Sequence, residues 1–298
     1  VGRHVMQGGS RRSAIWAGLR WDHPDVLPFV ELKNWSEDVR RLKTTDFSFP
    51  AAMDMTNISV QLNADFFVAY NNEQHPKHHL ARDVYWKTLK QMVSTAEPGL
   101  SVDADNDTLR NACTEVTSAD DSDICNLGSL NLGNFESMID FIAAIDLATL
   151  FLIAGSVYSH VPYDEVDQVR EKNRRLGLGL MGVHEWLLKR GKAYGPDDEL
   201  GIWLHYYAQS TRMADYWART HYLSSPVKTR AIAPTGTISI VAETSSGIEP
   251  IFASAFKRRY LHNKDWHFQM VVDPVAKKLI ELGIPAHEIE DAYDLSYD

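Results

Sequence analysis

Apolar positions over 81–95, at Val84, Trp86, Leu89 and Met92, carry a helical spacing that Glu97, Pro98 and Gly99 bring to an end. Similar patterning predicts helices over 135–159, 163–175, 183–192 and 273–282, and a longer aromatic-rich one over 200–223. Residues 57–62 alternate and are β-branched, which predicts a strand; 230–233 and 238–241 read as further short strands. Asp22, His23, Pro24 and Asp25 form a turn and helix start, with Asp22 as the expected N-cap and Pro24 in the first turn. Helices outnumber strands and separate them. The order therefore favours an α/β fold with crossover connections over a sandwich. With no internal repeat and no low-complexity linker, the chain reads as one domain or a piece of one.

Composition narrows the functional classes. The 298 residues are 44% hydrophobic and 23% charged, as in a soluble globular protein. A formal charge of −10 argues against a general nucleic-acid surface, though not against a local phosphate pocket. Two cysteines form no disulfide framework and no C-x-x-C metal pattern, which points to a reducing cytoplasm. The apolar run 141–157 contains Asp146 and falls short of the roughly 20 residues that span a bilayer, so a core helix is expected. No secretory signal opens the chain, and no membrane partner is expected.

The candidate chemistry begins at Cys113, flanked by Asn111 and Glu115. In an extended segment these side chains would share one face, bringing together a reactive thiol, a proton-moving carboxylate and an amide. The alternative is a buried structural cysteine. Gly177, Gly179 and Gly182 satisfy G-x-G-x-x-G, but the preceding residues 169–175 are charged and helical. A dinucleotide fingerprint needs a strand there, so glycines packing two helices together are the preferred reading. Pro234, Thr235, Gly236, Thr237, Ile238 and Ser239 form a turn whose successive N–H groups suit an anion; an unliganded polar turn is equally open. Lys257, Arg258 and Arg259 read as a solvated face, and His75, His78 and His79 as an exposed polar loop rather than a metal site.

Taken together, several of these segments resemble the catalytic subunit of ribonucleotide reductase. They are Asn111-x-Cys113-x-Glu115, the run from Cys125 to Leu132, Arg174 to Gly179, and Pro234 to Thr237 leading into Ser245 to Pro250. Gly8, Gly9, Ser10, Arg11 and Arg12, followed by 22–25, also match. All stand in family order, from near residue 6 to beyond 260. The resemblance implies a ten-stranded α/β barrel with an internal finger loop, the whole of 1–298 being part of that catalytic domain. Cys113 would become a thiyl radical that removes the 3′ hydrogen of a ribonucleotide. Glu115 would be the base on the 3′-OH, and Asn111 would bond the sugar hydroxyls. Cys125 would be half of the reducing dithiol. The turn from Pro234 to Ser239 would hold the substrate phosphates, and the loop from Gly8 to Arg12 would answer to an effector nucleotide. The implied partners are a ribonucleotide, that effector and a thioredoxin-like reductant, with a homodimer as a further expectation.

The runs at 174–182 and 257–260 look most like the adenosylcobalamin-dependent branch, although Ala112 and Thr114 stand where that branch usually has Pro and Gly. The alternative branch takes its radical from a separate metal-containing subunit. No cysteine precedes Cys113, so the partner of Cys125 is expected before Val1, and the final strands and cysteine-bearing tail are also missing. The expectation is a fragment with exposed apolar edges that does not turn over alone. From other classes, a non-catalytic nucleotide-binding module and a nicotinamide-dependent dehydrogenase built on 177–182 remain as contrasts.

Overall fold

The computed structural model describes residues 6–7, 11–12, 14–46, 49–103, 107–262 and 265–295. They form two compact units, Val1–Asp121 and Ser122–Asp298.

In the first unit, β1 (Met6–Gln7) and β2 (Arg11–Arg12) pair antiparallel. Strands β3 (Ile15–Arg20), β4 (Thr56–Leu62) and β5 (Gly99–Val102) make a parallel sheet in that order. Helices α1 (Val26–Val30) and α2 (Glu37–Thr45) connect β3 to β4; α3 (Ala64–Asn71) and α4 (His78–Thr95) connect β4 to β5. This is the alternation that parallel pairing requires. The expected strand and the helix over 81–95 are both present. The core gathers Trp21, Val30, Val60, Phe66 and Val84. Trp21 meets Phe66 edge-on at 5.5 Å, a contact worth about 0.5–1.5 kcal/mol beyond its buried area. Asn63 serves two elements at once: Oδ1 accepts from Phe66 N, capping α3, and from Trp21 Nε1.

Two local expectations are corrected here. Asp25, not Asp22, precedes α1, and Pro24 lies ahead of the helix. Asp22 is occupied by Arg20 and by Lys77 at 2.8 Å, and these cations, by hydrogen bond and charge, hold its carboxyl below the usual range against the opposing effect of burial. His78 and His79 belong to α4 rather than a loop, and buried His78 places Nδ1 2.9 Å from Ala69 O.

In the second unit, β6 (Leu109–Arg110) and β7 (Thr117–Ser118) having closed the first, β8 (Asn126–Asn131) pairs in parallel with β9 (Leu176–Met181). A parallel bridge joins Leu178 to Arg230 and extends the pair. Helices α5 (Met138–Tyr158) and α6 (Asp164–Asn173) make the crossover between β8 and β9. After β9 come α7 (Val183–Lys189), α8 (Asp198–Ala208), α9 (Ser210–Thr220) and α10 (Ile238–Val241). The hairpin β10 (Ala255–His262) and β11 (Asp265–Val272) follows, then α11 (Pro274–Glu281). Leu132, Phe141, Ile145, Leu178, Trp186 and Trp203 centre the core.

Helix α5 has 21 residues and is long and apolar enough to cross a membrane by length and composition, which corrects the shorter estimate. Its buried side carries Phe141, Ile145, Leu152 and Ile153, and Asp146 accepts from Trp217 Nε1 at 2.7 Å. Those contacts make it a helix of the fold. The expected helix over 200–223 is two, parted at Gln209. Residues 238–241 are a helical turn rather than a strand. Lys257 and Arg259 lie on the exposed hairpin over Phe268 and Trp266. Parallel strands joined by helices bear out the α/β class. Among the described residues, however, no closed barrel forms: the parallel strands make a three-stranded sheet and a bridged pair.

Candidate functional site

Cys113 lies on the loop between β6 and β7, which pair antiparallel through Leu109↔Ser118 and Arg110↔Thr117. The loop is a tight turn, not the extended segment expected. Thr114 N donates to Asn111 O at 3.0 Å, and Val116 N donates to Asn111 Oδ1 at 3.1 Å. Thr114 takes a left-handed φ of 67°. Asn closes such turns because its short side chain reaches backbone N–H groups within a few residues. Asn111 therefore spends its oxygen inside the loop and keeps Nδ2 as the end able to donate outward.

Cys113 is an exposed thiol. Glu115 is half-buried, and its Oε2 is sealed from solvent with no hydrogen-bond partner among the described residues. A buried carboxylate oxygen without a donor is costly in a fold and is an acceptor held ready for a ligand. Several contacts anchor the base of the loop. Arg110 forms a buried ion pair with Asp103 at 3.0 Å, and Gln61 Nε2 donates to Thr108 O at 2.7 Å. Burial pushes the Asp103 carboxyl up, with Arg110 opposing. Asn57 Nδ2 donates to Ala112 O on the flank.

In the second unit, half-buried Cys125 immediately precedes β8. The glycine run at 177–182 is explained by close approach within a sheet, correcting the helix-packing expectation. Leu176–Met181 is a fully buried strand. A Cβ at Gly177 would lie 2.9 Å from Cys125 Sγ and 3.2 Å from Ala231 Cβ; one at Gly179 would lie 2.5 Å from Ala231 O. Strand, turn and helix do follow in order here, but these two glycines sit inside the strand under their neighbours and leave no open phosphate cradle. Arg175 and Asn173 hold Asp123, two residues before Cys125, at 2.7 and 3.0 Å.

The turn 234–239 leaves the bridged segment near Arg230 and heads α10. Thr235 and Ser239 are buried, while Pro234, Gly236, Thr237 and Ile238 are exposed. Thr235, at φ 52°, accepts on Oγ1 from Gly247 N at 2.8 Å, and Ser239 Oγ lies 2.9 Å from Ser246 Oγ. Among the described residues no carbonyl accepts from the amides of Gly236, Thr237 or Ile238. Three consecutive amides at the start of a helical turn form a concavity suited to an anion.

Beneath this turn lies a network that local sequence gave no sign of. Glu185, Thr244 and Asn131 meet, with Thr244 Oγ1 donating to Glu185 Oε2 and lying 3.0 Å from Asn131 Oδ1. Beside it, buried His184 accepts on Nδ1 from Ile251 N at 2.9 Å, while Nε2 faces Glu290 at 3.6 Å. Burial lowers the His184 pKa and Glu290 opposes this. The imidazole thus stays neutral in the fold while the unfolded chain protonates near pH 6.5. This stability contribution is present above that value and is lost as pH falls toward the depressed folded pKa. The melting temperature is expected to fall between pH 7.5 and 5.5, with a flatter profile for His184→Gln; an identical profile would remove His184 from the explanation.

Of the effector-loop residues, Gly8, Gly9 and Ser10 lie outside the described residues. Arg11 and Arg12 form β2, paired with Gln7 and Met6. Among the described residues no three His, Cys, Asp or Glu side chains converge as a metal site.

Parallel strands joined by helices run through both units, the first carrying the Cys113 loop and the second the 234–239 turn. Residues 102–203 and 227–297 match the ribonucleotide reductase barrel domain, and the chain belongs to that family. It is similar to a vitamin B12-dependent ribonucleoside-diphosphate reductase of Thermoplasma acidophilum, 28% identical over 96% of this chain and 41% of that protein. A putative adenosylcobalamin-dependent ribonucleoside-triphosphate reductase of Mycobacterium phage D29 is 31% identical, over 87% of this chain and 38% of that protein. In fold it resembles the class Id ribonucleotide reductase alpha subunit of Actinobacillus ureae, with a TM-score of 0.66 and 18% identity, over 90% of this chain and 52% of that one. The chain spans about two-fifths of the length of the curated relatives it matches.

Proposed function

We propose that this protein reduces ribonucleotides to 2′-deoxyribonucleotides by thiyl-radical chemistry, the whole of 1–298 forming part of a ten-stranded catalytic barrel. The observation that carries the reading is the Cys113 loop: an exposed thiol two residues from a carboxylate whose Oε2 is buried without a donor among the described residues. The Cys113 sulfur radical takes the 3′ hydrogen, forming S–H and leaving a radical at C3′. Glu115 accepts the 3′-OH proton, and Asn111 Nδ2 holds a sugar hydroxyl. The 2′-OH leaves as water with a proton from the dithiol of which Cys125 is half. That dithiol also gives a hydrogen atom to C2′ and one electron to the 3′ ketone formed as water leaves, becoming a disulfide, while Glu115 returns the proton to the 3′ oxygen. Cys113 then returns its hydrogen to C3′ and is again a radical. The sum is ribonucleotide plus dithiol to deoxyribonucleotide, disulfide and water.

Adenosylcobalamin, when bound, supplies a radical from its cobalt–carbon bond, and the exposed Cys113 sulfur is the feature of this chain that fits such delivery. The named B12-dependent relatives favour it over a separate metal-containing radical subunit. A nucleotide effector at 8–12, a thioredoxin-like reductant, a homodimer and a cytoplasmic setting complete the reading. Deoxyribonucleotide formation by residues 1–298 within a chain of the relatives' full length, with a dithiol reductant, followed by chromatography with and without adenosylcobalamin, tests it. Cobalamin-dependent product is expected; cobalamin-independent product points to the radical-subunit branch, and no product under either regime overturns the activity.

The amides of Gly236, Thr237 and Ile238 would receive the substrate phosphates. Ala231, beside Gly177 and Cys125, is four residues from Thr235, at most about 14 Å of extended chain. The turn and the redox thiol thus lie within reach of one nucleotide. A Cβ at Gly236 meets nothing within 4 Å, so Gly236→Asp is accommodated and puts a carboxylate among the three amides. Ribonucleotide affinity is expected to fall by about 30-fold, roughly 2 kcal/mol for a lost charge-assisted anion contact. Unchanged affinity by calorimetry would move the phosphates elsewhere.

A further inference from the structure

Glu185 has no part in the mechanism above, yet its side chain is fully buried, at 0% exposure, in the first turn of α7. Its surroundings are assembled from four elements. Oε2 accepts from Thr244 Oγ1. Oε1 has Lys189 Nζ at 2.9 Å and Lys278 Nζ at 3.6 Å, from α7 and α11. Neither lysine makes a hydrogen bond to Oε1, Lys278 being too distant, so the contact is one of charge. Both ammonium groups are pinned to backbone carbonyls instead, Lys189 to Gly133 O at 2.8 Å and Lys278 to Glu243 O. On the remaining side Gly133 is the wall: a Cβ there would lie 2.8 Å from Glu185 Cδ.

The residue that Glu185 grips leads directly to the anion turn. Thr244 N donates to Ser239 O at 3.0 Å, and Ser239 N donates to Thr235 O at 2.9 Å. Ser245 is fixed from the same helix start, its carbonyl accepting from Gly182 N at 2.8 Å. We propose that Glu185 is a positioning residue for the 234–239 turn, acting through Thr244 to set the amides of Gly236, Thr237 and Ile238 for a phosphate group. This rests on the phosphate-binding reading of that turn. A carboxylate suits the role because it accepts from Thr244 while its charge draws two lysines that hold the flanking backbone. A neutral amide would keep the shape and lose the charge.

The test is binding of inorganic pyrophosphate and of cytidine to the intact protein, by calorimetry, for wild type, Glu185→Gln, Thr244→Val, the double variant and Gly236→Asp. Both single variants are expected to weaken pyrophosphate about tenfold, to leave cytidine unchanged, and to show no further loss when combined, since they break one link. A general structural defect would weaken both probes. Should Glu185→Gln fail to fold by circular dichroism, Thr244→Val carries the same expectation. Folded variants that bind pyrophosphate like wild type while Gly236→Asp does not would overturn the role of Glu185 and leave the turn's role standing. If Gly236→Asp is also without effect, the phosphate reading fails and the inference with it.

Discussion

Cys113→Ser is expected to lower deoxyribonucleotide formation by at least about 10⁴-fold, as removal of a group that forms and breaks a bond in every turnover does. Serine keeps the size and polarity of the side chain, but its O–H bond is too strong to exchange hydrogen reversibly with a ribose C–H. The loop does not depend on the sulfur for its shape: Asn111, Val116 and the left-handed Thr114 set the turn. Ribonucleotide affinity should therefore survive. A binding module would show the same affinity and no turnover in either form. Serine-containing protein with wild-type turnover would exclude Cys113 from the chemistry.

Glu115→Gln is expected to lower kcat by about 10²–10⁴-fold with KM little changed, the range for losing a positioned general base. Glutamine can keep a carbonyl oxygen at the sealed Oε2 position, so the turn tolerates it; what is lost is the capacity to take the 3′-OH proton. The separation of kcat from KM distinguishes proton transfer from substrate binding. A proportional rise in KM with kcat unaffected would assign Glu115 to binding instead.

The parts of the fold legible in the sequence were long and periodic. Helix α4 carried its apolar face over several turns, and β4 alternated among β-branched residues. The missed parts were short or decided by distant partners. Ile238–Val241 has strand-like composition, but four residues hold too little pattern, and the Ser239 and Thr244 contacts wind it into a turn. Strand β9 is rich in glycine, a poor strand former, and forms through distant pairing with β8 and Arg230, its glycines leaving room for Cys125 and Ala231. No breaker marks Gln209, where one expected helix became two.

Local spacing singled out Cys113 with Glu115 as a candidate but gave the wrong backbone, since a motif carries residue types and not φ angles. Glu185 and Thr244 were invisible for another reason. They are 59 residues apart, and neither belongs to a local pattern of chemistry.

Reduction of a ribonucleotide deuterated at C3′ examines hydrogen removal by the Cys113 sulfur at its source. A primary isotope effect on kcat/KM, with the deuterium retained at C3′ of the product and none of this in Cys113→Ser, is expected. Equal rates for the labelled and unlabelled substrates, with deuterium lost to solvent in wild type and serine variant alike, would contradict it.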